Sequence, residues 1–244
     1  MLEAEALSLT HQEITRSLPQ DRTIRVLEAG GGSYTLIRID RPQRITVVDL
    51  SPEQLERNTY ADEKILGDLH DERLLQDKYD MIVCWDVLEH LSDPALAFRN
   101  MARHLSDGGL LVIGCPNLYS LKGLVTRFTP HWFHVLYYRV VRREKLAGTP
   151  GHVPFPTYLR TDMTLKRIVK TAEDMGLNAD VAELYHGPAL DDLKNRFPRL
   201  FGLYRVPGIM MRALTAGRID LDDTEYVAVF RRPSVSEASL VRAA

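Results

Sequence analysis

The chain has 244 residues, 45% of them hydrophobic, which suits one large α/β domain carrying insertions. Its 31 basic and 33 acidic side chains leave a net charge of −2, which excludes a general electrostatic drive toward nucleic acid. No apolar run approaches the length of a membrane helix, and the acidic start Met-Leu-Glu-Ala-Glu-Ala-Leu lacks a secretory charge pattern, so the expected location is cytoplasmic.

Residues 2–18 read as a helix with Leu2, Ala6, Leu9, Glu13 and Ile14 near one stripe. Ile24–Ala29 is the first strand, ending on glycines, and Arg44–Asp49 is the second. Ser51-Pro52-Glu53 then starts a helix: Ser caps, Pro sits at the first position, and Glu favours the positive end. Lys64–Leu66 is a short third strand. Tyr79–Trp85 is the fourth, apolar almost throughout, as a strand covered on both faces should be. Asp93-Pro94 opens a helix with Phe98, Met101, Ala102 and Leu105 at helical spacing, closed by Gly108-Gly109.

Leu110–Gly114 is the fifth strand, stopped by Pro116. A helix begins at Thr161 or Thr164, with Leu165, Ile168, Val169, Ala172 and Met175 as its stripe and Gly176 at its end. Asn178–Tyr185 and Glu225–Phe230 are the last strands, and the tail from Pro233 is expected to fray. The alternation predicts an α/β doubly wound sheet. It also predicts a single domain over 1–244, with an aromatic-basic, lid-like insertion at 117–156 and a helical one at 188–218. Cys84 and Cys115 each follow a strand run, and are expected as buried reduced thiols on neighbouring strands.

Parallel sheets put ligands at the carboxyl ends of their strands. Four successive ends carry Glu28, Asp49, Asp68 and Asp86, which describes one acidic crevice. Gly30, Gly31 and Gly32 let backbone approach a ligand. Asp49 follows Gly32 by 17 residues, where a carboxylate either accepts ribose hydroxyls or serves as a turn acid. Asp68 either accepts a purine amino group or is a solvated turn acid. Glu28 either meets an amino-bearing ligand or holds the glycine loop. The glycine spacing is not the dinucleotide fingerprint, because Thr35 stands where its last glycine belongs.

These segments resemble the class I S-adenosylmethionine-dependent methyltransferases, close to the type 11 group. Glu28-Ala29-Gly30-Gly31-Gly32 resembles that family's first motif, Asp49 its ribose acid, and Gly67-Asp68-Leu69 its adenine loop. Trp85-Asp86-Val87-Leu88-Glu89-His90 resembles its fourth motif, and Asp107–Ile113 the turn and strand that follow. The likeness covers residues 20–117 well and 160–232 in outline. It implies a Rossmann-like seven-stranded sheet with a reversed last strand, and S-adenosylmethionine as methyl donor. The implied donor-binding set is Glu28, Gly30, Gly31, Gly32, Asp49, Leu50, Asp68, Leu69, Cys84 and Trp85. Two departures are Tyr34, where a further glycine is usual, and a short Gly32–Asp49 stretch whose Pro42 leaves little room for a crossover helix.

A methyltransferase aligns a nucleophile, excludes water and sometimes removes a proton. The candidate bases are His90, His131, His134 and His152. His90 also reads as a hydrogen-bonded structural histidine, and Trp85 as either a pocket wall or core. His131 and His134 are too few for a metal site, and no metal is expected. Phe128–Lys145 suits a lid, a homodimer contact, an interfacial membrane helix or an amphipathic helix on the sheet edge. The expected function is methyl transfer to a small-molecule acceptor at oxygen. The alternative is a non-methylating S-adenosylmethionine-binding protein, either a scaffold or a cyclisation enzyme.

Overall fold

The computed structural model describes residues 1–35, 37–217 and 220–234, with backbone alone for Ala189. The tail expected to fray from Pro233 therefore lies mostly outside the described residues. Seven strands form one sheet: β1 (Ile24–Ala29), β2 (Gln43–Asp49), β3 (Glu63–Leu66), β4 (Tyr79–Trp85), β5 (Leu105–Pro116), β6 (Asn178–Tyr185) and β7 (Glu225–Arg231). Their order is β3-β2-β1-β4-β5-β7-β6, and β7 runs antiparallel to both neighbours. The Rossmann-like sheet with its reversed last strand is thus present.

Helices α1 (Glu3–Ser17), α2 (Pro52–Arg57), α3 (Pro94–Arg103) and α6 (Leu165–Asp174) cover the sheet. The Ser51 and Asp93 side chains cap α2 and α3 by accepting from the Gln54 and Leu96 amides. The larger apolar layer joins Phe98, Met101, Ile168 and Ala172 to the sheet, with Phe98 and Phe230 edge to face at 5.5 Å. The opposite layer seats Ile14 and Leu18 over Val26, Met81 and Val112.

Three local expectations are corrected. The buried side of α1 is Ala6, Thr10, Glu13 and Ile14, while Leu2 and Leu9 are exposed. Helix α3 ends at Arg103, because Leu105 already pairs with Tyr79 and belongs to β5. Gly108-Gly109 therefore lie inside a long, bulged strand, where Gly108 (φ +73°) and Gly109 bond Arg232 through the backbone. Pro116 likewise is the last residue of β5 and does not lie beyond it. As the short spacing implied, the described residues between β1 and β2 contain no helix. Ile37 instead enters the core from an extended loop, 3% exposed.

The two insertions are helical in large part. The first contains α4 (Leu121–Phe128), α5 (His131–Tyr137) and a π-helical turn over Tyr138–Arg142. The second contains α7 (Asp191–Arg196) and α8 (Pro198–Leu214).

Candidate active site

The glycine turn follows β1 directly. Gly30 and Gly32 hold φ of +72° and +50°, and a Cβ at Gly30 would stand 2.5 Å from Val87 Cγ2. Glu28 is 4% exposed and accepts a hydrogen bond from the Thr35 hydroxyl, so it holds the loop itself. Burial pushes its carboxyl up to about 7, with the Thr35 bond opposing. Asn58 Nδ2 donates to Gly32 O at 2.8 Å, and the Tyr60 hydroxyl to Gly31 O at 3.4 Å.

Asp49 ends β2. Its Oδ1 accepts from the Ser51 amide at 2.8 Å, while Oδ2 faces the glycine turn, 3.5 Å from where a Gly32 Cβ would stand. Leu50 beside it is 62% exposed. Asp68, after β3, accepts from the His70 amide at 2.9 Å and ring Nδ1 at 2.6 Å, and His70 Nε2 accepts from the Asp93 amide. Burial opposes ionisation there, but the His70 donors prevail and hold the carboxyl below its usual range. Leu69 and Cys84 point into the main apolar layer. The Trp85 ring, partly buried, fills the space over Gly114 and packs with Tyr185 and Val227.

The strands further along contribute a second cluster. Asp86 follows β4 at φ +53°, a strained conformation for a residue with a Cβ. Its side chain is open to solvent, yet protein surrounds it and its carboxyl is raised by burial and by Glu89 and Glu225. Glu89 is buried and raised for the same first reason, and Cys115 Sγ donates to its Oε2 at 3.5 Å. Glu225 opens β7, opposite Pro116 and Tyr185, and pairs with Lys122 of α4. Burial disfavours the Lys122 charge, but Glu225 and Asp86 outweigh it and raise its pKa. Cys84 and Cys115 are both buried free thiols on adjacent strands.

His90 sits in the turn after Asp86. Its Nδ1 donates to Pro156 O at 2.7 Å, its ring meets Phe155 edge to face, and Nε2 lies 3.8 Å from Glu89 Oε1. Burial lowers its pKa, so the ring is neutral near pH 7. His131 and His134 lie edge to face on α5, and the Thr129 hydroxyl engages His134 Nε2, so their contacts stay within the insertion. His152 is held by Thr149 and Pro150.

Residues 148–159 form a strap between the two clusters. Gly151 O accepts from Gln54 Nε2 at 2.9 Å and Arg57 Nη1 at 3.1 Å of α2. Further on, the Tyr158 and Leu159 amides donate to Glu89 O. Gln54 Oε1 also accepts from the Ser33 hydroxyl, joining strap, helix and glycine turn.

Lys122, Glu225 and Tyr185 were not singled out from the sequence. One signal could have found Glu225: a reversed strand brings its first residue to the carboxyl ends of the parallel strands.

A methyltransferase domain family model matches residues 3–168. The chain is 27% identical over 117 residues to the ubiquinone biosynthesis O-methyltransferase of Marinobacter nauticus, covering 45% of this chain and 48% of that protein. It is 32% identical over 114 residues to nodulation protein S of Rhizobium tropici, covering 42% and 48% respectively. The chain thus spans about half the length of the curated relatives it matches. The crystal structure of the 4+2 cyclase SpnF shares the fold at TM-score 0.52 and 15% identity, over 96% of this chain and 84% of that one. With the family model covering well over half of the chain, the protein belongs to the methyltransferase domain family, within the class I S-adenosylmethionine-dependent methyltransferases.

Proposed function

We propose that the protein transfers a methyl group from S-adenosylmethionine to a hydroxyl oxygen of a small-molecule acceptor. The observation that carries this reading is that a glycine turn, a carboxylate with one oxygen free and a neutral, oriented histidine follow the carboxyl ends of three neighbouring strands, β1, β2 and β4. Bound S-adenosylmethionine supplies the activated methyl group on its sulfonium. Asp49 Oδ2 accepts from the ribose hydroxyls, because Oδ1 is already committed to Ser51. Gly30 and Gly32 keep the approach to the donor's methionine end free of side chains. Asp68, Leu69 and Leu50 border the adenine, with Leu69 acting through its backbone because its side chain is core.

His90 is the proton acceptor in this reading. The Pro156 carbonyl fixes the hydrogen on Nδ1, which leaves the Nε2 lone pair for an acceptor hydroxyl. The Lys122–Glu225 ion pair and the raised Asp86 carboxyl orient a polar acceptor, and the 117–156 insertion with its strap excludes water. The relative named for O-methylation supports oxygen. The test is a coupled assay with methyl-labelled donor against panels of phenols, alcohols, carboxylates and amines. Label in an ether or ester, matched by S-adenosylhomocysteine, is the expected result. Donor binding without turnover of any acceptor overturns it in favour of a non-methylating protein.

A further inference from the structure

We propose that the outward face of α8 docks on an anionic phospholipid surface. An ordinary surface helix turns polar residues outward. Helix α8 does the reverse. Its inward side places Arg205 on Asp222 and Gly208 against Leu221 and Asp222. Its outward side carries Leu200, Leu203, Met210 and Leu214, exposed at 54%, 69%, 57% and 80%, with Val206 and Ile209 flanking them. Positions 200, 203, 207, 210 and 214 fall on one stripe of a helix about 25 Å long. A monomeric protein rarely leaves such a stripe uncovered.

The charge around the stripe selects the occupant. From Leu193 to Leu214 the chain carries Lys194, Arg196, Arg199, Arg205 and Arg212 and no acidic residue; Arg196, Arg205 and Arg212 pair with Asp192, Asp222 and Asp220 on either side, which leaves Lys194 and Arg199 for an outside partner. The neighbouring insertion adds exposed Arg139, Arg143 and Lys145. The two insertions are joined, since Arg196 donates to Val141 O and Arg142 lies 3.8 Å from Asp192. A second copy of this chain fits poorly, because a twin α8 brings no acidic residue to Lys194 or Arg199. Anionic headgroups attract Lys194, Arg199, Arg139, Arg143 and Lys145 while the acyl boundary receives the leucines. The exposed aromatics Phe128 and Trp132 of the same insertion, 78% and 65% exposed, are of the kind that anchors at such a boundary. Among the described residues no helix is long and apolar enough to cross a membrane, and Pro207 and the arginines fit a helix lying in the interface plane.

The experiment is flotation of the full chain with phosphatidylcholine vesicles, with and without phosphatidylglycerol. Binding is expected on the anionic vesicles and is expected to weaken as salt rises. Lys194→Glu and Arg199→Glu should each lower the partition coefficient by on the order of fivefold or more. Leu203→Glu with Met210→Glu should abolish flotation, while circular dichroism and donor affinity stay unchanged, since both positions face outward. Equal recovery with neutral and anionic vesicles overturns the proposal. So does a wild-type dimer by light scattering that Leu203→Glu converts to monomer without any vesicle effect, which assigns the stripe to a second copy.

Discussion

Glu28, Gly32, Asp49 and Asn58 come from two consecutive steps of the chain, whereas Asp86, Lys122, Tyr185 and Glu225 come from four separate elements. Both sets face the carboxyl ends of one sheet. The glycine side is therefore fixed by local geometry: a strand end, a turn, and the amides and side chains a few residues on. The acidic side exists only once β7 has reversed beside β5 and α4 has brought Lys122 to Glu225. The two sides should respond differently to substitution, since one set can be lost without disturbing the other.

The largest expected effect separates the sides by chemistry. His90→Gln should lower kcat about 10²–10⁴-fold and leave donor affinity within about twofold. The wild-type rate should fall on acidification through a pKa below the ordinary histidine value, because burial disfavours the ring's charge. If His90→Gln keeps both the rate and the acid limb, the proton acceptor is another group, and Asp86 is the next to replace. Asp49→Ala should do the opposite. Losing charge-assisted bonds to ribose should cost about 2–4 kcal/mol of donor affinity by calorimetry. Unchanged affinity in a folded variant would remove Asp49 from the donor site.

Glu28 sharpens the comparison through stability. Its carboxyl titrates at about 7 in the folded chain against 4.5 for the ordinary group. Below pH 4.5 both states hold the proton and nothing is lost. Between the two values the folded state keeps a proton that the unfolded state releases, so this group's contribution falls as pH rises. Above 7 its cost is complete, about 3 kcal/mol. Urea denaturation of Glu28→Gln should show that gain at pH 8 and little difference at pH 4. A pH-independent difference would mean that the Thr35 bond, not the buried charge, governs the site.

These contrasts also explain what was legible. The strands, the caps at Ser51 and Asp93, and the acids at strand ends were readable because each is a local signal. Leu105 misled because the α3 apolar stripe and the start of β5 both require a buried leucine there. The Lys122–Glu225 pair was unreadable because its members lie far apart in sequence and meet only through the reversed strand. Trp85 packs over Gly114, a contact that no spacing rule could show.

The smallest expected effect concerns the strap. Gln54→Ala removes one bond to Gly151 and one from Ser33. It should loosen residues 149–153 by about 1 kcal/mol, read as roughly fivefold faster amide exchange. Unchanged exchange there would show that Arg57 alone holds the strap.

The path between β6 and β7 leaves and re-enters the sheet at nearly one point. His186 Nδ1 donates to Asp222 O at 2.7 Å, and the Gly187 amide to Thr224 Oγ1 at 3.0 Å. Whatever lies between these pins closes a loop whose ends the sheet already holds together, so its length is weakly constrained. The 188–218 excursion is thus a natural graft position. Exchanging or shortening it between these anchors should alter what is held at the acidic end of the crevice while the seven strands and the glycine turn keep their register.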